Sequence, residues 1–313
     1  MRPATLAELA AEAGVEVPVV QGDVGGWRRF AARYDAASAL VRTPAHLARL
    51  VDEIVEDEAA CGTRWVEITT NPALYAARSP LLADPVEVLA CLLDAGRRAA
   101  AAHGVGVGWV VAADRAHTPY EAASLARLAA EHAGHGVVGF GLANDERRQP
   151  ASVFRTAFRI ARSAGLLAVP HAGELRGPEE VVDAVELLGA TRIGHGVAAY
   201  SEPDVVAQLA DRGVCLELCP TSNLEMGIVG ELHEHPLPAL VAAGVPVCVN
   251  ADDPLLFGES LVDELRTCRD VLGFDRRRLG DLAETSIRHA ACPDGLRKEL
   301  LADLAAFRAA SRR

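Results

Sequence analysis

Short apolar runs that end in polar side chains are the most constraining feature of this sequence. Three of them, residues 166–170, 192–193 and 245–249, lead into the motifs HAGE (171–174), GHG (194–196) and NADDP (250–254). In a (β/α) barrel, the carboxyl ends of buried strands carry the active-site residues in this way. His, Glu and Asp side chains that converge at one end of such a barrel indicate an enzyme with a metal ion.

Apolar runs and Ala- and Leu-rich stretches alternate along most of the chain. We predict strands at 65–70, 105–112, 136–142, 166–169, 192–194, 214–218 and 245–249, and helices at 85–103, 120–132, 152–164, 178–188, 202–212 and 236–243. The runs lack strict alternation, as in a parallel sheet covered on both faces. We therefore expect an α/β fold, a (β/α)8 TIM-type barrel, in one domain over 1–313. A closed barrel has eight strands, so strand 1 is missing from this prediction.

Charge and composition exclude several classes of partner. The net charge of −12 argues against nucleic-acid binding, which requires clustered Lys and Arg. No apolar run approaches the length of about 18 residues that suggests a membrane span. The chain starts without the apolar segment of a signal peptide, and its seven cysteines lie mostly in apolar runs. These features predict reduced thiols in a cytoplasmic protein; the oligomeric state is left open.

His171 and Glu174 are the first candidate pair. If the strand ends near His171, its imidazole points into the mouth of the barrel, and the Ala172-Gly173 step returns Glu174 over the same cavity. A neutral imidazole suits zinc, and a carboxyl group in a dry pocket has a raised pKa and can donate a proton. Taken alone, the motif is equally compatible with a helix N-terminus that exposes both side chains.

His195 and the Asp252-Asp253 pair follow two further predicted strands. His195 has a glycine on each side, so its imidazole is the only side chain in the GHG motif. This makes His195 a candidate base or water-orienting group. Adjacent carboxylates diverge on an extended backbone, so one of the two can ligate a metal while the other hydrogen-bonds substrate. The alternative for the acidic pair is an Asx turn before Pro254.

Three other motifs have open interpretations. Residues 219–223 (CPTSN) follow a strand and form either a structural loop or a support for the site residues. Asn144, the first residue of the segment 144–148, is a candidate for ligand contact. His233-Glu234-His235 has a zinc-ligand spacing, but it precedes a helix and does not end a strand, so we predict a structural role on another part of the barrel.

Together these motifs resemble the adenosine deaminase family of the metal-dependent amidohydrolases. The resemblance spans nearly the whole chain and rests on HAGE, GHG, CPTSN and NADDP in the family's order. It implies a barrel with one zinc ion (Zn2+), for which His171 and Asp252 are ligands. It also implies that Glu174 donates a proton to a purine ring nitrogen, that His195 positions the metal-bound water and that Asp253 hydrogen-bonds the purine.

The chain departs from the family pattern at two places. Asn144 stands where many members have a glycine that contacts substrate, so contacts with the purine ring are expected to differ. The family supplies two more zinc ligands from an H-x-H shortly before an R-P-x-T-L-x-E-L segment, which here is residues 2–9, directly after Met1. Barrels avoid open sheet edges, so we interpret this as a start codon assigned too late in preference to a genuinely shortened protein.

The resemblance implies hydrolytic deamination of a small-molecule 6-aminopurine nucleoside, adenosine or deoxyadenosine, with release of ammonia. Adenine and aminodeoxyfutalosine are alternative substrates. A second hypothesis is a non-catalytic relative that binds a nucleoside or a partner protein, because two zinc ligands are absent and catalytic zinc usually has three protein ligands. Trp27 is expected either on a lid helix over the substrate or in ordinary packing.

Overall fold

The fold was obtained as a computed structural model, which describes residues 1–310 except 21, 23, 24 and 83. The strands of the described residues are β1 (Trp65–Thr70), β2 (Gly106–Asp114), β3 (Val137–Ala143), β4 (Leu167–Ala172), β5 (Arg192–His195), β6 (Cys215–Leu218) and β7 (Val247–Val249). They coincide with the seven predicted strands to within two residues at each end, except that β4 ends three residues later than predicted.

Helices precede, connect and follow the strands. They are α1 (Pro3–Ala13), α2 (Trp27–Ser38), α3 (Pro44–Ala60), α4 (Pro72–Arg78), α5 (Pro85–His103), α6 (Pro119–Glu131), α7 (Arg155–Ser163), α8 (Pro178–Asp183), α9 (Pro203–Arg212), α10 (Pro220–Glu225), α11 (Leu237–Ala242), α12 (Pro254–Phe257), α13 (Leu261–Asp270), α14 (Arg276–His289) and α15 (Asp294–Ala310). None of the described helices is long and apolar enough to cross a membrane.

All seven strands form one parallel sheet, in which their spatial order is their order along the chain. Trp65 lies beside Gly106 at the start of the sheet, and His171 lies beside Gly194 near its middle. Within the described residues, β1 pairs only with β2 and β7 only with β6. The sheet is therefore a TIM-type barrel that lacks one strand, which confirms the predicted fold class.

Local sequence explains where the elements begin and end. At the start of α5, the side chain of Asp84 accepts the Val86 N–H, and Pro85 lacks an N–H that would otherwise need a partner. Gly104 ends this helix with φ 71°, a left-handed conformation that glycine adopts without strain. Strand β7 is shorter than predicted because Pro246 has no N–H to pair with β6.

Residues 289–291 of the helical tail lie against the amino-terminal end of the sheet. The Ala291 N–H donates to Glu67 Oε1 at 2.6 Å, and the His289 carbonyl oxygen accepts from Arg192 Nη1 at 2.9 Å. Arg192 also forms ion pairs inside the barrel with Glu67 and with Glu217, the latter at 2.9 Å from Nε to Oε1. This buried cluster joins β1, β5, β6 and the tail.

The charge of Arg192 decides the ionisation of its partner Glu67. Burial alone would raise the pKa of the Glu67 carboxyl, but attraction to Arg192 and hydrogen bonds hold it below its usual range. A carboxyl group with a lowered pKa contributes stability above its unfolded-state pKa, and this contribution is lost as the pH falls through the folded-state pKa.

Arg192→Met should lower the free energy of unfolding at pH 7 by about 3–5 kcal/mol, because it leaves two carboxylates inside the barrel without their cation. Arg64→Met is the matched control, since the exposed ion pair of Arg64 with Glu299 contributes about 0–1 kcal/mol. Urea denaturation measures both. The difference in the free energy of unfolding between Arg192→Met and the wild type should shrink as the pH is lowered into the range where Glu67 takes up a proton. An equal loss of stability in Arg192→Met and Arg64→Met would contradict a stabilising role of the Arg192 ion pairs.

Candidate functional site

Four predicted site residues meet at the carboxyl end of the sheet. His171 and His195 lie at the ends of β4 and β5, and their ring centroids are 5.3 Å apart. His195 Nε2 lies 3.7 Å from Glu174 Oε1 and 3.9 Å from Asp252 Oδ2. Imidazoles and carboxylates from three separate parts of the chain thus surround one point at this rim.

The backbone is strained at three of the predicted site residues. Among the described residues, the non-glycine residues with positive φ are Asn144 at 76°, His195 at 62° and Asp252 at 56°. A left-handed conformation costs a non-glycine residue about 1–3 kcal/mol. Such strain is concentrated at functional sites, where the surrounding contacts enforce it. All three positions lie at or shortly after the carboxyl end of a strand.

His171 is held with one ring nitrogen free. Its Nδ1 lies 3.1 Å from the carbonyl oxygen of Leu142, which can only accept, so Nδ1 carries the proton. Nε2 therefore keeps its lone pair, and this arrangement is typical of a metal-binding histidine. Burial, reinforced by the neighbouring His195, lowers the pKa of His171 and keeps the ring neutral.

The Glu174 carboxyl has the properties of a proton donor. Its side chain is 7 % exposed. Burial, followed by repulsion from Asp252, raises the pKa of Glu174 to about 8. A carboxyl group with this pKa is protonated at neutral pH and can give its proton to a bound base.

Glu146 holds the loop that carries Glu174, and sequence reasoning did not identify it. Its carboxylate is buried and accepts four backbone N–H groups, from Gly173, Glu174 and Leu175 at 3.2 Å and from Arg176 at 2.9 Å. The available signal was its place just after β3, the neighbour of β4. That position does not indicate that the hydrogen-bond partners of Glu146 would be backbone amides.

Arg115 is a second buried support that the sequence analysis did not single out. Its guanidinium donates to the His171 carbonyl oxygen at 2.8 Å and to the Gln149 carbonyl oxygen at 2.6 Å. The same group is paired with the Glu180 carboxylate at 3.2 Å. Arg115 therefore ties the end of β4 to α8 and to the loop after β3.

The CPTSN segment supports the site, which is one of its two predicted roles. Ser222 Oγ donates to Asp252 Oδ2 at 2.6 Å, and Asn223 Nδ2 lies 3.2 Å from His195 Nδ1. The segment is itself fixed by Glu264, a buried carboxylate that accepts the Thr221 N–H at 3.1 Å. Ser222 and Asn223 of α10 therefore each contact a residue at another strand end.

His235 lies close to the site, contrary to its predicted placement elsewhere on the barrel. Its ring is buried, and Nε2 lies 3.1 Å from Asn223 Oδ1. His233, two residues earlier, has a side chain that is 62 % exposed. The H-x-H spacing therefore does not bring the two rings together, and His235 reaches the site only through Asn223.

The two residues predicted to contact substrate have different surroundings. Asp253 lines the cavity described below, and burial, followed by repulsion from Asp252, raises its pKa to about 6. Asn144 is absent from the cavity wall, and its Oδ1 accepts the N–H of Asp145 at 2.6 Å. Both substrate contacts stay predictions.

Two of the site groups are suited to hold a metal ion, namely the lone pair of His171 Nε2 and the carboxylate of Asp252. In the described part of the chain, atoms of His195, Cys219 and Asp252 also lie within 4.8 Å of one another. Burial and repulsion from Asp252 raise the pKa of the Cys219 thiol well above its usual value. His171 and Asp252 stay the predicted ligand pair.

A cavity of about 1000 Å³ extends from the site into the barrel. His171, His195, Asp252 and Asp253 line one part of it, and Tyr75 is also in its wall. It passes between β1 and β7, where the sheet is open. Its volume is within the range of about 300–1,000 Å³ that is usual for small-molecule sites.

Comparison with known proteins gives a consistent result. The family described as "Adenosine deaminase" matches residues 1–307. A putative adenosine/adenine deaminase of Streptomyces virginiae is 43% identical over 314 residues, which cover 97% of this chain and 92% of the relative. An adenine deaminase of Chelativorans sp. (strain BNC1) is 36% identical, with 96% and 93% covered. An aminodeoxyfutalosine deaminase of Streptomyces coelicolor is 37% identical, with 84% and 68% covered.

Solved structures show the same architecture. The adenine deaminase from Arthrobacter aurescens is 29% identical with a TM-score of 0.89, and the match covers 98% of this chain and 94% of that one. An amidohydrolase from Burkhoderia ambifaria with bound Zn is 25% identical with a TM-score of 0.86, and the match covers 98% and 86%. The barrel and its order of strands are thus shared with these deaminases and amidohydrolases.

Glu146→Gln should loosen residues 173–176, because an amide retains one oxygen acceptor in place of two and directs an N–H group at backbone donors. Hydrogen–deuterium exchange of a peptide that covers these residues should be faster than in the wild type. Glu179→Gln is the matched control, since Glu179 is exposed and lies on the same segment. Unchanged protection in Glu146→Gln would show that the loop is held by other contacts.

Proposed function

We propose, from the premise that this chain belongs to the adenosine deaminase family, that it removes the 6-amino group of a purine by hydrolysis. The family match over residues 1–307 and the relatives named as deaminases establish a hydrolytic deaminase. Adenosine or deoxyadenosine is the substrate we favour. Adenine is the second candidate, because relatives at 34–37% identity carry the name adenine deaminase.

One observation carries the proposal most directly: a carboxyl group with a raised pKa stands beside an imidazole and a carboxylate at one rim of the barrel. Glu174, with its pKa of about 8, holds a proton at neutral pH, 3.7 Å from His195 Nε2. Deamination of a 6-aminopurine needs such a donor, because protonation of the ring nitrogen next to C6 makes that carbon electrophilic. A pocket with only apolar side chains has no such proton donor and would leave the purine ring unreactive.

The site residues divide the reaction between them. Water adds to C6 while Glu174 gives its proton to the adjacent ring nitrogen, and Asp252 takes up the proton that the water releases. Asp252 passes this proton to the amino group, the C6–N bond breaks, and ammonia leaves. The hydroxyl proton at C6 returns to Glu174 as the keto purine forms. His195 orients the attacking oxygen. Asp253 is proposed to hydrogen-bond the purine, and Asn144 is proposed to approach its ring from the loop after β3.

Zinc, one ion per chain, fits the groups that the site offers. His171 has a free lone pair at Nε2 and Asp252 has an ionisable carboxylate, and a related amidohydrolase was solved with bound Zn. When bound, zinc lowers the pKa of water to about 7 and so supplies a nucleophile at neutral pH. Catalytic zinc usually has three protein ligands, so these two residues by themselves are one fewer than the usual number.

The cysteines support a cytoplasmic location. All seven are free, and five of them are buried. Thiols stay reduced in the cytosol, whereas disulfides form and persist in oxidising compartments. We therefore place the deaminase in the cytoplasm, where purine bases and nucleosides are metabolised as small molecules.

Glu174→Gln should lower turnover by several orders of magnitude while the fold and metal content are kept, because the amide cannot donate an acidic proton. General acid catalysis alone contributes about 10² to 10⁴-fold. Ammonia release from adenosine, deoxyadenosine and adenine measures turnover and separates the substrate candidates. Glu131→Gln on the exposed end of α6 is the control. Wild-type rates in Glu174→Gln would remove this residue from the mechanism, and no ammonia from any of the three purines with the wild type would refute the proposed function.

His171→Ala should reduce the zinc content of the purified protein, because it removes the free imidazole lone pair. Elemental analysis after dialysis against micromolar zinc gives the ratio of zinc to protein, and a chelator followed by zinc should remove and then restore activity. His233→Ala is the control, because that ring is exposed and its ion-pair partner is Glu231, which is not a site residue. Equal zinc in both variants would exclude His171 as a ligand.

A further inference from the structure

A buried chain of side chains links His235 to the site through Asn223. Both residues are almost fully buried, at 3 % and 0 % exposure. His235 Nε2 lies 3.1 Å from Asn223 Oδ1, and Asn223 Nδ2 lies 3.2 Å from His195 Nδ1. The proposed reaction assigns no role to His235. A buried imidazole needs a hydrogen-bond partner for each ring nitrogen, so the partners of His235 define how its ring is protonated.

One backbone group fixes the direction of every bond in this chain. The Leu237 N–H, which can only donate, points to His235 Nδ1 at 3.1 Å. His235 Nδ1 is therefore the acceptor, and the ring carries its proton on Nε2. That proton is donated to the Asn223 oxygen, so the Asn223 amide group is oriented with its nitrogen towards His195. Burial, with a smaller effect of His195, lowers the pKa of His235 to about 4, which keeps this ring neutral.

We propose that His235 and Asn223 are positioning residues that hold His195 in the tautomer with its proton on Nε2. The Asn223 N–H occupies the Nδ1 lone pair of His195, so the N–H group of His195 points towards Glu174 and Asp252. His171 has the opposite tautomer, because its Nδ1 donates to Leu142. One ring thus offers a lone pair to a cation, and the other offers a hydrogen-bond donor to an oxygen.

The catalytic role of this His195 tautomer rests on the proposed function. The sequence left His195 as either a base or a water-orienting group, and the tautomer favours orientation. A neutral ring with a proton on Nε2 donates a hydrogen bond to the attacking oxygen and has no lone pair there to accept a proton. It is for the same reason a poor metal ligand at Nε2, which agrees with the choice of His171.

Nitrogen NMR of the full chain, labelled with [15N]histidine, tests the tautomer directly. The His195 signals are assigned by their loss in His195→Asn. In the wild type, Nε2 should appear in the protonated range and Nδ1 in the unprotonated range. Asn223→Asp is nearly isosteric but can only accept, so it should move the proton to Nδ1 and interchange the two ranges. A proton on Nδ1 in the wild type, or no change in folded Asn223→Asp, would overturn the proposal.

A matched pair at His235 keeps the test independent of the stability of Asn223→Asp. His235→Gln retains a donor for the Asn223 oxygen and should preserve the wild-type spectrum. His235→Asn retains the acceptor for the Leu237 N–H but loses that donor, so Asn223 can rotate and His195 should show both tautomers. Identical spectra in these two variants would also overturn the proposal.

Turnover separates this inference from the proposed function. Since a histidine in the wrong tautomer can lower kcat by about 10⁴-fold, Asn223→Asp and His235→Asn should lower kcat more than they raise KM, while His235→Gln stays within about tenfold of the wild type. A wild type with the expected spectrum but no release of ammonia from purines would refute the function and leave the tautomer assignment intact.

Discussion

Parallel pairing of the strands in chain order is the constraint on which the site depends. Because each strand runs in the same direction, His171, His195 and Asp252 leave the sheet at one rim, although up to 81 residues separate them along the chain. Their side chains approach within hydrogen-bonding or ion-pairing range only through this arrangement. The cavity reaches the interior of the barrel, where the ion pair of Glu67 with Arg192 joins β1 to β5, two strands that do not pair directly.

Buried carboxylates that accept backbone N–H groups then fix the loops at this rim. Glu146 holds the loop of Glu174, and Glu264 holds the start of α10, from which Ser222 reaches Asp252. Each of these acids belongs to an element other than the one it supports. Strained φ angles at His195 and Asp252 are therefore maintained by contacts from several directions, and the two imidazoles are oriented by different groups.

Much of this protein was predictable from local sequence. The seven strands, the helix α5 and the order of the motifs follow from apolar runs, prolines at helix starts and glycines after helices, because these patterns act on neighbouring residues. The family resemblance rested on four motifs and is confirmed by the match over residues 1–307. The convergence of His171, His195, Glu174 and Asp252 was also predictable, since strand ends of a parallel barrel meet at one rim.

The supports of the site were decided by tertiary structure alone. His235 and His233 share one short motif, yet one ring is buried against Asn223 and the other faces solvent. Glu146 and Arg115 resemble ordinary loop residues until β4 is placed beside β3, which brings the amides of residues 173–176 and the His171 carbonyl within reach. A hydrogen bond requires its two partners to meet in space, and the sequence around one partner carries no record of where the other lies.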